Sequence, residues 1–160
     1  MTELGHTSAV PTATHTPATF AGTMTDVSKA STDADGRSIK TMQRLVGINL
    51  GLVALQPLSA GLFLSGYERA VTVHALVAVA LQLGAIIQAI MAGVLWRRRR
   101  IPAWVGSLSI RLLVVVVVQV GLGHGKQYWL HVPLGVGLFG ALIRQQSRLD
   151  ALWRATGARL

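Results

Sequence analysis

Two histidines hold most of the chemical potential of this sequence. His74 and His131 each lie about one helical turn into an apolar stretch, where an ionisable side chain is costly and therefore a functional candidate. An imidazole at such depth either ligates a metal or hydrogen-bonds to a neighbouring helix. The next residue on the same helix face stands four positions on: Ala78 after His74, and Gly135 after His131. Both are small and leave room for a flat macrocycle, with Gly61, Gly121, Gly137 and Gly140 adding more. Small residues equally line ordinary contacts between membrane helices, as in the Gly47/Gly51 pair and the Ala85, Ala89, Gly93 run. His124, in Gly123-His124-Gly125, reads as a solvated loop histidine, with a proton relay or an exchange ligand as the second reading. Glu68 and Arg69 precede His74. They form either an exposed pair, or a carboxylate beside a cofactor edge and a cation that, with Lys126, meets the cofactor's acidic groups. The chain has no cysteine, which excludes disulfides, thiolate metal sites, covalent haem attachment and cysteine nucleophiles. No Ser-His-Asp arrangement, phosphate loop or carboxylate pair is present.

The elements that hold these histidines are apolar segments at residues 45–64, 70–96, 101–123 and 128–143. Twenty helical residues reach about 30 Å, the thickness of a bilayer core. The first contains Pro57, which kinks a helix, and the third contains the valine run 114–118. The fourth is shortest and extends into Arg144 and Gln145 by snorkelling. Arg111, inside the third, is expected to snorkel towards the basic end. The glutamines at 56, 82, 88 and 119, with Asn49, are expected to hydrogen-bond between helices. The loops at 65–69, 97–100 and 124–127 are short enough to force antiparallel neighbours. The expected fold is therefore all-α, an integral membrane four-helix up-down-up-down bundle at 39–146. A disordered tail over 1–38, holding the solvated His6 and His15, precedes it, and a basic segment at 147–160 follows.

Composition agrees. Of the 160 residues 51% are hydrophobic and 13% charged, against about 25% charged in a soluble domain, and mean hydropathy is +0.50. The net charge of +9 is explained by placement. Lys29, Arg37, Lys40 and Arg44, Arg97 to Arg100, and Arg144, Arg148, Arg154 and Arg159 fall at one end, against Arg69 and Lys126 at the other. The basic end is expected to be cytoplasmic, with both termini there, and the location to be a bacterial plasma membrane. Trp96, Trp104, Tyr128 and Trp129 fall near the interfaces, as an aromatic belt requires. No interleaving of aromatic and basic residues points to nucleic acid. The expected partners are the lipid bilayer and a homodimer or larger membrane complex, with no nucleic acid.

In such a bundle helices two and four are diagonal, about 11–14 Å apart. That gap suits a metalloporphyrin held by one imidazole from each side, and noncovalent haem b is the expected cofactor. The stretch Gln119-Val-Gly-Leu-Gly123, followed by Tyr128-Trp-Leu-His131-Val-Pro-Leu-Gly135, resembles the heme A synthase family. So does Glu68-Arg-Ala-Val-Thr-Val-His74. That family is built from two four-helix halves, each around a histidine pair, and the resemblance covers about residues 43–145, a single half. It implies that His74 and His131 stand for the haem-ligand pair and that Glu68 stands for the loop carboxylate of the oxidation chemistry. The chain departs from the family in its longer Glu68-to-His74 spacing and in lacking a loop cysteine pair and a second half.

Three functional readings follow: a membrane b-type cytochrome with a two-histidine site near the outer face, a haem-free scaffold or accessory subunit, and a haem-modifying enzyme. Four helices line a transport path only as an oligomer, and no acidic residue lies within the spans.

Overall fold

The computed structural model describes residues 18–157, which form four helices: α1 Ala18–Leu64, α2 Arg69–Arg97, α3 Ala103–His124 and α4 Tyr128–Gly157. Each helix packs on the two that neighbour it in a square, with α1 against α2 and α4, and α3 against α2 and α4. α2 and α4 are therefore diagonal, as are α1 and α3. The expected all-α up-down-up-down bundle is the observed one.

The core arises from stripes at spacings of three and four, the period that keeps residues on one helix face. α1 contributes Ile39, Met42, Val46, Asn49 and Val53; α2 Leu81, Ala85, Gln88 and Ala92; α3 Val105, Ser109, Leu112 and Val116; α4 Leu138, Leu142, Gln145 and Leu149. The outer surface is apolar as well. Ile48, Leu58, Leu76, Ile90, Val114 and Val136 are all more than half exposed, the inverse of a water-soluble surface and the arrangement lipid solvates. Three helical stretches, Asp33–Leu64, Arg69–Arg97 and Ala103–His124, are long and apolar enough to cross a membrane. The bundle is thus that of a membrane protein. Four such spans were expected. α4 does not reach the same measure, because its apolar stretch at 128–143 gives way to Arg144, Arg148, Asp150 and Arg154.

One polar residue from each helix joins a single layer in the core. Asn49 Nδ2 donates to Gln88 Oε1 at 2.7 Å, and Gln88 Nε2 donates to Ser109 Oγ at 3.3 Å and Gln145 Oε1 at 3.2 Å. Gln145 Nε2 donates to Ser109 Oγ at 3.1 Å. All four are buried. Away from water such groups find partners in one another, so the layer also fixes the relative rotation of the helices. Gly84 makes room for it, since a Cβ there would run into Asn49 Oδ1.

The ends of the bundle correct two boundaries. α1 begins at Ala18, so the stretch expected to be disordered to residue 38 is helical from there on. α4 runs to Gly157, well past the expected limit at 146. The two extensions hold each other. A Cβ on Gly36 would lie 3.2 Å from Trp153, Lys40 stacks on that indole at 4.8 Å, Gln43 Nε2 donates to Asp150 Oδ1 at 2.8 Å, and Leu149 is fully buried. Arg100 pairs with Asp35 at 3.2 Å. The Thr, Ser and Ala content of the tail hid the continuation of the α1 stripe through Gly36. The arginines after 143 hid that of α4 through Leu149 and Leu152. Residues 1–17, with His6 and His15, and Arg159 lie outside the described residues.

All three turns close in the same way. The second residue after each of the first three helices adopts a left-handed conformation: Gly66 at φ 94°, Arg99 at φ 55° and Lys126 at φ 55°. The following N–H returns to the carbonyl five residues back: Tyr67 to Leu62, Arg100 to Leu95, and Gln127 to Leu122. This closure satisfies carbonyls that a helix end leaves free.

Candidate functional site

His74 on α2 and His131 on α4 come together across the diagonal, at the bundle end that holds the first and third turns. Their ring centres are 6.3 Å apart and their planes are inclined by 55°. Each ring is anchored by the helix preceding its own. His131 Nδ1 stands 2.9 Å from the carbonyl oxygen of Gln119. His74 Nδ1 stands 3.2 Å from the carbonyl oxygen of Gln56 and 3.1 Å from Ser59 Oγ. A carbonyl oxygen only accepts, so both Nδ1 atoms carry the hydrogen. Ser59 in turn donates to carbonyls of its own helix, Leu55 or Gln56. In each neutral ring the lone pair is left on Nε2. This is how a metal-binding histidine is held: the second nitrogen donates to a backbone carbonyl, fixing the tautomer and raising ligand basicity.

The spacing has chemical meaning. Two imidazoles bound on opposite sides of one first-row metal, at about 2.0–2.1 Å each, place their ring centres about 6.4 Å apart. No third ligand joins them, because no group of three or more His, Cys, Asp or Glu side chains gathers among the described residues. Zinc sites draw three or four protein ligands. An ion that brings four nitrogens of its own in a macrocycle needs only an axial pair.

Comparison with protein families, with curated proteins and with solved structures finds no match. The reading of the site therefore rests on its geometry.

The surroundings of His131 explain two glycines. A Cβ on Gly123 would stand 3.1 Å from its ring, and one on Gly135 would stand 2.9 Å from Gln119 Nε2. That amide donates to the His131 carbonyl at 2.7 Å, an interhelical glutamine bond of the expected kind. The absence of a side chain at Gly135, expected to give room to a macrocycle, here accommodates the Gln119 amide. Ala78 is half-buried one turn along from His74. Gly61 and Gly121 are exposed with open space around them, and Gly137 and Gly140 face a groove at the opposite end of the bundle.

Glu68, Arg69 and Lys126 are exposed in or beside the turns at the histidine end, and the Glu68 side chain makes no capping bond to α2. His124, expected in the loop, is the last residue of α3 instead, exposed and bonded at 3.0 Å to the Val120 carbonyl of its own helix. Buried Gln56 Oε1 and Gln119 Oε1 have no hydrogen-bond partner among the described residues, so each can accept a donor at this level. The sequence reading missed Ser59, Gly123 and the two carbonyls. Ser59 follows Gln56 by three on the α1 core face, and that spacing was its signal; backbone acceptors carry none.

Proposed function

We propose that this chain is a membrane haem-binding protein of the b-type cytochrome kind, in which His74 and His131 would hold one noncovalent haem. The observation that carries the reading is the pair of imidazoles 6.3 Å apart, each with Nδ1 on a backbone carbonyl. The haem would supply one-electron redox chemistry. The protein would supply tautomer, orientation and an apolar setting: the Gln56 and Gln119 carbonyls hold the rings, and Gly123 lets His131 reach its acceptor. Arg69 and Lys126 are the basic residues at that end and the charges available to propionates. The one-sided basic distribution supports both termini on the cytoplasmic side, with the histidine end at the outer face.

The resemblance to one half of a heme A synthase supports haem as the ligand. A haem-modifying activity would require Glu68 to act on the substrate, and its exposed carboxylate makes no hydrogen bond to either histidine. The haem-free scaffold is the competing reading, favoured by the same hydrogen bonds, since they also tie α1 to α2 and α3 to α4.

Absorption spectroscopy separates the readings. Protein produced with haem in excess and purified in mild detergent should show the sharp reduced bands of six-coordinate low-spin haem. His74→Ala or His131→Ala should abolish or broaden them, and His124→Ala should leave them unchanged. Colourless wild-type protein overturns the proposal and leaves the scaffold.

A further inference from the structure

The end of the bundle opposite the histidines carries a second site. A groove of about 490 Å³ opens between α3 and α4, lined by Arg111, Arg144 and Arg148, Trp104, Gly137 and Gly140. We propose that this groove binds an anionic phospholipid, its phosphate held by the three arginines and one acyl chain laid along the two glycines.

The charge argues for a phosphate. All three arginines are exposed, and none has a carboxylate partner among the described residues. Arg148 stacks on Trp104 at 5.6 Å. Arg111 bonds back to the Ser107 carbonyl at 3.3 Å and to Ser107 Oγ at 3.4 Å. Guanidinium forks match phosphate oxygens in pairs, and basic pockets between membrane helices take acidic headgroups.

The depth argues for a lipid. Arg111 lies eight residues into α3 from Ala103, about 12 Å along the axis, and its head turns back towards the polar boundary. Arg144 follows the apolar part of α4 and Arg148 stands one turn beyond. The charges therefore line the level of lipid phosphates, while Gly140 and Gly137 continue from them into the apolar zone. A Cβ on either glycine would meet nothing within 4 Å, so the strip is open and smooth. A second copy of the chain, docked symmetrically, would set these arginines against their own kind.

Native mass spectrometry of the full-length protein in detergent, with added phosphatidylglycerol or phosphatidylcholine, tests the proposal. The wild type should retain phosphatidylglycerol and release phosphatidylcholine. The triple variant Arg111→Gln, Arg144→Gln, Arg148→Gln should hold phosphatidylglycerol about 100-fold more weakly. The triple variant Arg97→Gln, Arg98→Gln, Arg99→Gln removes equal charge elsewhere and should retain it. Gly140→Leu keeps every charge, fills the acyl strip and should also lose the lipid. Glycerol phosphate, which has the headgroup chemistry without chains, should not displace it. Equal loss in both triple variants, undiminished retention by Gly140→Leu, displacement by glycerol phosphate, or protein dimers in place of lipid adducts would each overturn the proposal.

Discussion

Asn49 and Gln88 are joined at 2.7 Å inside the bundle, and through Gln88 the bond reaches α3 and α4 as well. Gln88 makes three of the bonds in this layer. At about 0.6 kcal/mol for each interhelical bond in a membrane protein, Gln88→Leu should cost about 2 kcal/mol. Denaturant unfolding in detergent measures it, and Gln82→Leu, at a half-buried position outside the layer, provides the comparison. Equal stability of the two variants would show that the layer does not hold the helices.

Gly123→Ala should act on His131. The added methyl would stand 3.1 Å from the ring and push it off the Gln119 carbonyl. The expected result is a broadened or shifted reduced haem band and a stability loss of about 1–3 kcal/mol, as for other overpacked sites. Gly121→Ala, at an open position, should change neither. Identical spectra for Gly123→Ala and wild type would remove the carbonyl from the account of the site.

The left-handed turn residues give opposite substitutions opposite signs. Lys126→Gly and Arg99→Gly relieve a conformation costing an L-residue about 1–2 kcal/mol and should raise the unfolding midpoint. Gly66→Ala imposes that cost and should lower it. Thermal unfolding of the three variants checks the prediction, and a destabilised Lys126→Gly would count against it.

The packed ends of α1 and α4 make residues past 146 part of the stability of the bundle. Leu149→Ala empties a fully buried position and should cost about 2–5 kcal/mol. Ala151→Ser, at an exposed site on the same helix, should be nearly neutral. If both variants unfold at the wild-type midpoint, the packing of this extension contributes nothing.

The apolar segments, their antiparallel order and the equal depth of His74 and His131 were legible because each follows from local composition and helix length. The extensions were not, because a few core residues at spacings of three and four are diluted there by charge and by Ser and Thr. Asn49 and Gln88 announced a polar contact, but Ser109 and Gln145 became its partners only once four stripes were brought into register. The Nδ1 acceptors were invisible for a different reason: a carbonyl of Gln56 or Gln119 is the same group as any other carbonyl until a helix carries an imidazole to it.

The fourth side of the square has no loop. α1 and α4 are held there by Gln43 on Asp150 and by Gly36 against Trp153, while the other three sides are closed by turns. Every helix thus has the same two neighbours whether or not the backbone connects them. A linker from residue 157 to residue 33, with the chain opened at Arg99 instead, would keep each of those neighbours and both hairpins. The spatial plan of the bundle is therefore cyclic, and the order in which its two hairpins enter the bilayer is free to vary without altering the product.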